Sequence, residues 1–141
     1  MNSTFNTQHS TLTRQTSRGY FVTGTDTGVG KTLIACSLLR AFAARGFKAA
    51  GMKPVASGAV ASRNGLVHDD VERLIAAGNV AAPREHVNPY CFAPPIAPHI
   101  AAAEAGMKID LDHIGRCFDA LTARADVVIV TSKPRTWSIE S

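Results

Sequence analysis

Tyr20-Phe21-Val22-Thr23-Gly24-Thr25-Asp26-Thr27-Gly28-Val29-Gly30-Lys31-Thr32 is the stretch whose reading decides the fold. Its first four residues read as a short buried strand that runs straight into a glycine-rich loop. Leu33 to Ala44 then carries apolar residues round most of a helix, and Gly46 supplies a stop signal. Strand, loop and helix in that order are the setting in which Gly-x-x-x-x-Gly-Lys-Ser/Thr cradles phosphate. Thr25 holds the place of the first glycine and Gly24 stands one residue earlier, so the loop is a variant. Gly28 and Gly30 let backbone N–H groups turn inward around phosphates, and the helix behind them adds its partial positive charge. Lys31 is expected to bridge the β- and γ-phosphates, and the Thr32 hydroxyl to ligate Mg²⁺. ATP and Mg²⁺ are therefore the expected cofactors, with Gly28, Val29, Gly30, Lys31, Thr32 and Leu33 as nucleotide-binding residues. A glycine-rich turn that binds nothing has no need of a Lys-Thr pair at this offset.

Working outward, Phe47 to Lys53 fits a second strand that closes a right-handed βαβ unit. Residues 54 to 67 read as a loop broken by Gly58, Asn64 and Gly65. Asp69 to Ala77 is predicted as a short helix. Pro83, Pro89, Pro94, Pro95 and Pro98 forbid regular helix between 83 and 98 and suggest an ordered excursion. His99 to Ala105 and Leu111 to Ala123 are predicted helices, and Asp126-Val127-Val128-Ile129-Val130 is a buried parallel strand. Residues 131 to 141 follow with neither period and contain Trp137. The expected fold class is α/β, a P-loop NTPase-type parallel sheet flanked by helices. It is expected to be incomplete, since two or three parallel strands make a thin sheet. The division this implies is a disordered polar leader at 1–18, the first part of a P-loop domain at 19–130, and a tail at 131–141.

Composition narrows the partners. Hydrophobic residues make up 45% of the chain and charged residues 18%, a globular balance. The net charge of +4 is spread without a basic run that could follow a nucleic-acid backbone, so anionic small molecules are the expected partners. Cys36, Cys91 and Cys117 lie far apart, which argues against a disulfide framework and for a reducing compartment. No stretch approaches the roughly 20 apolar residues of a membrane span, so a cytoplasmic protein is expected. Residues 1 to 18 contain no acid and carry Arg14 and Arg18, as transit peptides do. A disordered polar leader is the preferred reading there, because the segment lacks an amphipathic period.

Further candidates lie beyond the loop. Lys53, in Lys53-Pro54-Val55-Ala56-Ser57-Gly58, stands at the carboxyl end of the second strand, where open α/β sheets place their ligands. A second ammonium group beside Lys31 suits a reaction that builds negative charge on transferred oxygens. Spacing alone leaves an ordinary exposed lysine before a turn equally open. Asp69 with Glu72 resembles a capping box, which assigns Asp69 to the helix cap and Asp70 to Mg²⁺ and the nucleotide site. His99 is read as structural at a helix start, and a Cys91 nucleophile lacks a base-orienting partner.

Together these residues resemble the dethiobiotin synthetase family. The resemblance runs from Tyr20 to Val130 through the loop, Gly51-Met52-Lys53-Pro54-Val55-Ala56-Ser57-Gly58, Asn88-Pro89-Tyr90-Cys91-Phe92 and Pro95-Ile96-Ala97-Pro98-His99-Ile100. It implies ATP-dependent ring closure of 7,8-diaminononanoate, in which one amine captures CO₂ (or bicarbonate) as a carbamate that attacks the γ-phosphate. It implies catalytic roles for Lys53 and Lys31, substrate contacts at Thr27 and Ser57, metal ligands at Thr32 and Asp70, and a homodimer. Some members carry Glu where this chain has Gly28. The family's strand is followed by Glu-Gly-x-Gly-Gly, whose Glu is a second magnesium carboxylate; Thr131-Ser132-Lys133-Pro134-Arg135 stands there instead. A chain shortened near residue 131, for example by a frameshift, with little activity, is the expectation that follows. Two alternatives are an ATPase switch of the partitioning or cell-division kind, whose signature has a second Lys where Asp26 stands, and a non-catalytic fragment.

Overall fold

The computed structural model describes residues 18–23 and 29–132, with Val29 described for its backbone alone. In chain order the elements are β1 (Arg18–Thr23), α1 (Val29–Ala44), β2 (Ala49–Met52), β3 (Val55–Ser57), β4 (Val60–Ser62), β5 (Gly65–Val67), α2 (Asp69–Ala77), α3 (Arg84–Val87), β6 (Tyr90–Phe92), α4 (Pro98–Glu104), α5 (Leu111–Thr122) and β7 (Val127–Ser132). The main sheet among the described residues is parallel and three-stranded, in the order β1-β7-β2. A last strand inserted between the first two requires crossovers, and helices on both faces supply them. The α/β class and the helix-flanked parallel sheet expected from the sequence are observed.

Side-chain alternation along β7 builds the two faces. Val127 and Ile129 join Ala35, Cys36 and Leu39 of α1 and Leu74 and Ala77 of α2 in one cluster. Val128 and Val130 join Ile114, Cys117 and Leu121 of α5 in the other. Every residue of β7 is buried, as the middle strand of a covered parallel sheet must be. Leu39, Leu74 and Leu121 are all at 0% exposure, and burying each contributes about 2 kcal/mol. Gly51 sets how closely α1 and α2 approach β2: a Cβ there would lie 3.0 Å from Leu74 Cβ and 3.1 Å from Leu39 Cδ1. Among the described residues β1 stands at one end of the strand order, with Phe21 half exposed.

Four local readings are corrected. α1 begins at Val29, so Gly30, Lys31 and Thr32 belong to the first turns of the helix rather than to the loop alone. Residues 54–67 are not a loop: β3 pairs in parallel with β6, and β4 and β5 form a hairpin. Two of the residues read as breakers, Asn64 and Gly65, lie at its turn, with Gly65 at φ +108° and the Ser62 hydroxyl donating to Gly65 O at 2.7 Å. Between 83 and 98 the prolines open short elements rather than exclude them, Pro83 standing before the single turn of α3 and Pro98 at the start of α4. Finally, Asp69 does not cap α2. His68 does, its Nδ1 accepting from the Asp70 N–H at 3.1 Å, while Glu72 pairs with Arg84 across to α3. An imidazole nitrogen replaces the oxygen that usually caps a helix, a substitution composition rules do not favour.

Candidate functional site

Parallel strands bring their carboxyl ends to one edge. Phe21 and Met52 both register with Val130, and Thr23 registers with Ser132. Thr23 and Val29, the residues on either side of 24–28, and Lys53, which follows β2, therefore converge on this edge, as open α/β sheets require of a ligand site. The expected contacts from Thr27 and Gly28 lie outside the described residues.

α1 and α2 both run away from this edge on the same face of the sheet. Their seam is marked by the Cys36 thiol, which donates to Arg73 O at 3.5 Å. Thr32 stands one turn before Cys36 and Asp70 one turn before Arg73, so the two expected metal ligands share the edge-side end of the seam. Thr32 is 2% exposed. A Cβ on Gly30 would meet nothing within 4 Å, so packing does not demand glycine there, whereas close approach of an anion to the helix amides would. Lys31 is half-buried, and Leu33, also an expected nucleotide-binding residue, has an exposed side chain.

Lys53 is held at both ends. Its N–H donates to Val87 O at 2.8 Å, its carbonyl accepts from Asn88 Nδ2 at 2.7 Å, and its Nζ lies 3.5 Å from Asp70 Oδ2. Asn88 Nδ2 also donates to Tyr90 O at 2.9 Å, so one amide ties the end of β2 to β6. With side-chain exposures of 12% for Lys53 and 20% for Asp70, the pair is shielded enough for its attraction to matter and near enough to solvent to exchange partners. Lys53 is therefore not an exposed lysine before a turn. Ser57, the expected substrate contact, ends β3, and its carbonyl accepts from His68 Nε2 at 3.0 Å. Because Nδ1 of that ring accepts from Asp70, the proton sits on Nε2.

The donor set can be compared with what Mg²⁺ requires. Mg²⁺ prefers oxygen, keeps several waters, and is usually held by one or two carboxylates together with substrate phosphates. Thr32 and Asp70 fit that pattern in type. No group of three or more His, Cys, Asp or Glu that could hold a metal occurs among the described residues, so a metal here would lean on the phosphates. Thr131 continues the Val127–Ile129 face of β7 and points to the α1 side at this edge. It is 1% exposed, and its Oγ1 has no hydrogen-bond partner among the described residues. A hydroxyl there can bond a water but carries no charge to offset a cation.

Burial works against thiolate formation at all three cysteines. Burial pushes the thiols of Cys36, Cys91 and Cys117 above their ordinary range, and nearby arginines offset it only in part. Cys117 does meet a histidine, His113 Nε2 at 3.8 Å, but on the far side of the sheet among α5 core residues.

Sequence reasoning assigned no role to two residues that organise this edge, His68 and Asn88, the latter quoted only within a block of the resemblance. His68 precedes the Asp69-Asp70 pair, where an apolar-to-acidic break signals a helix start, and Asn88 precedes a proline, the usual place of a turn-forming amide.

A strand leading to a helix N-terminus, a buried threonine after its lysine and a lysine–carboxylate pair at the sheet's carboxyl edge define a P-loop nucleotide-binding domain. The AAA domain family matches residues 18–136, and the chain belongs to that family. Its resemblance within the family is to dethiobiotin synthetases. The ATP-dependent dethiobiotin synthetase of Nitrosospira multiformis is 58% identical over 113 residues, 80% of this chain and 48% of that protein. The protein of the same name from Aromatoleum aromaticum is 48% identical over 113 residues, 80% of this chain and 50% of its own length. That of Xylella fastidiosa is 45% identical over 111 residues, 79% and 49%. The chain spans about half the length of these curated relatives. Among the described residues no helix is long and apolar enough to cross a membrane.

Proposed function

We propose that this chain binds ATP with Mg²⁺ beside a diamine, 7,8-diaminononanoate, and belongs to the ATP-dependent step that closes the ureido ring of dethiobiotin in biotin synthesis. The observation that carries the reading is the Lys53–Asp70 pair at 3.5 Å, placed beside the start of α1 at the carboxyl edge. Named relatives at 45–58% identity support the choice of reaction over an ATPase switch.

In this reading Gly28, Val29, Gly30 and Leu33 would serve the phosphates at the start of α1, and Lys31 would offset charge on the β- and γ-oxygens. Thr32 and Asp70 would hold Mg²⁺, which supplies charge neutralisation at the transferred group. Lys53, beside Asp70, would stabilise negative charge on the carbamate oxygen as it attacks the γ-phosphorus and ADP leaves. Thr27 and Ser57 orient the diamine, so that the second amine faces the activated carbon. The gain is mostly one of position and electrostatics, as in other phosphoryl transfers. With Thr131 neutral where the resemblance calls for a carboxylate, Mg²⁺ is held weakly and turnover is slow. Pairing of two copies and a cytoplasmic setting complete the reading.

Isothermal titration with ATP, with and without Mg²⁺ and the diamine, combined with labelled-bicarbonate incorporation, tests it. ATP binding that needs Mg²⁺, and a faint dethiobiotin signal abolished by Lys53→Ala, are expected. Nucleotide binding indifferent to both Mg²⁺ and Lys31→Ala would overturn the proposal.

A further inference from the structure

His68 joins the two sides of the candidate site through opposite edges of one ring. Nδ1 accepts the Asp70 N–H at 3.1 Å, and Nε2 donates to the Ser57 carbonyl at 3.0 Å. Asp70 is bound to Lys53, and Lys53 in turn is tied by Asn88 to the β6 strand that pairs with β3. The result is a closed loop of contacts: Ser57, His68, Asp70, Lys53, Asn88, β6 and back to β3. Imidazole is planar and rigid, so the distance between its two partners is set by the ring and not by rotamers. Few side chains could do this, because the ring must accept at one nitrogen and donate at the other, which fixes a single neutral tautomer.

We infer that His68 is a positioning residue that couples diamine binding at Ser57 to magnesium–nucleotide binding at Asp70. The inference rests on the function proposed above. A ligand that orders Ser57 orders the start of α2 through the ring, so the second ligand finds Asp70 already placed and loses less freedom on binding. Coupling is reciprocal: each ligand must tighten the other by the same factor. A residue that merely caps a helix would stabilise the fold without linking the two affinities.

Two substitutions separate the arms of the ring. In His68→Asn the side-chain oxygen takes the place of Nδ1 and keeps the cap, but nothing reaches Ser57 O. In His68→Gln the amide nitrogen reaches the place of Nε2 and the cap is lost. The measurement is the ratio of Kd for ATP (with Mg²⁺) without and with saturating 7,8-diaminononanoate, in the full chain, by titration calorimetry. A ratio cancels any uniform loss of affinity, and thermal melting of each variant checks that it folds. The wild-type ratio is expected to be about 5 or more, within the usual range of coupling. It should fall to about 1 in His68→Asn with little change in melting, and to about 1 in His68→Gln with a lower melting temperature. A wild-type ratio near 1, or either folded variant keeping the wild-type ratio, overturns the inference and leaves the proposed function standing. Absence of any magnesium-dependent ATP binding by the wild-type chain overturns the function proposal and this inference with it.

Discussion

At the scale of single residues, Thr131 shows the tension between a site and a core. The residue is 1% exposed and its hydroxyl has no partner among the described residues, although the residues before it on the same face, Val127 and Ile129, are ordinary packing groups. A buried hydroxyl left without a hydrogen bond costs roughly 1–3 kcal/mol. Replacing it by a methyl of the same shape should remove that cost, so Thr131→Val is expected to stabilise the chain by about 1 kcal/mol, seen as a melting temperature higher by roughly 3–5 °C. The same variant should weaken ATP binding in the presence of Mg²⁺ if the hydroxyl holds a water at the site. Stability unchanged or lowered would mean that Thr131 already has a bonding partner in solution. Residue identities at this edge were legible where chemistry is local. Lys31 and Thr32 follow from the loop pattern, and Lys53 from its place after a strand. The place of Asp70 beside Lys53 agrees with its expected position, but the capping residue was not legible, because the choice of cap depends on where Ser57 comes to lie, eleven residues before His68.

At the scale of elements, α1 and α2 lie on β2 because Gly51 leaves room for them. A methyl there would press on Leu74 Cβ at 3.0 Å and Leu39 Cδ1 at 3.1 Å, and both leucines sit at 0% exposure with nowhere to turn. Gly51→Ala should therefore push α2 outward and cost roughly 1–3 kcal/mol, the usual penalty for overpacking. Because Asp70 rides on α2, magnesium-dependent ATP affinity should fall with stability; a variant as stable as the wild type would show that the seam has room for a methyl group. The long elements could be read from the sequence, since α1, α2, α5 and β7 carry periods of 3.6 or unbroken apolar runs. The short ones could not. β3 and β6 are three residues each and draw their stability from pairing across a separation of about 35 residues, which no local window contains. The β4–β5 hairpin was hidden for a related reason: all of β4 is exposed, so it shows no alternation between a buried and a solvated face.

At the scale of the whole molecule, the three thiols report on how tightly both layers close. Cys36 lies in the seam between α1 and α2, Cys117 under α5 on the opposite face, and Cys91 half-buried on β6, so each samples a different part of the packing. Burial raises all three above the ordinary thiol value of about 8.5. For an acid whose folded value is raised, the unfolded chain ionises first. The stabilisation is therefore complete below the unfolded thiol value and is lost as pH rises through it toward the folded one. Urea unfolding midpoints should accordingly be flat between about pH 7 and 8 and decline above about pH 8.5, with a shallower decline in Cys36→Ala. Under native conditions near pH 7 a thiol reagent such as Ellman's should label Cys91 before Cys36 and Cys117, the latter two reacting at the rate at which their layers open. Rapid labelling of Cys36 in the absence of nucleotide would show that the α1–α2 seam opens readily, and protection restored by ATP with Mg²⁺ would tie that opening to the site at its edge.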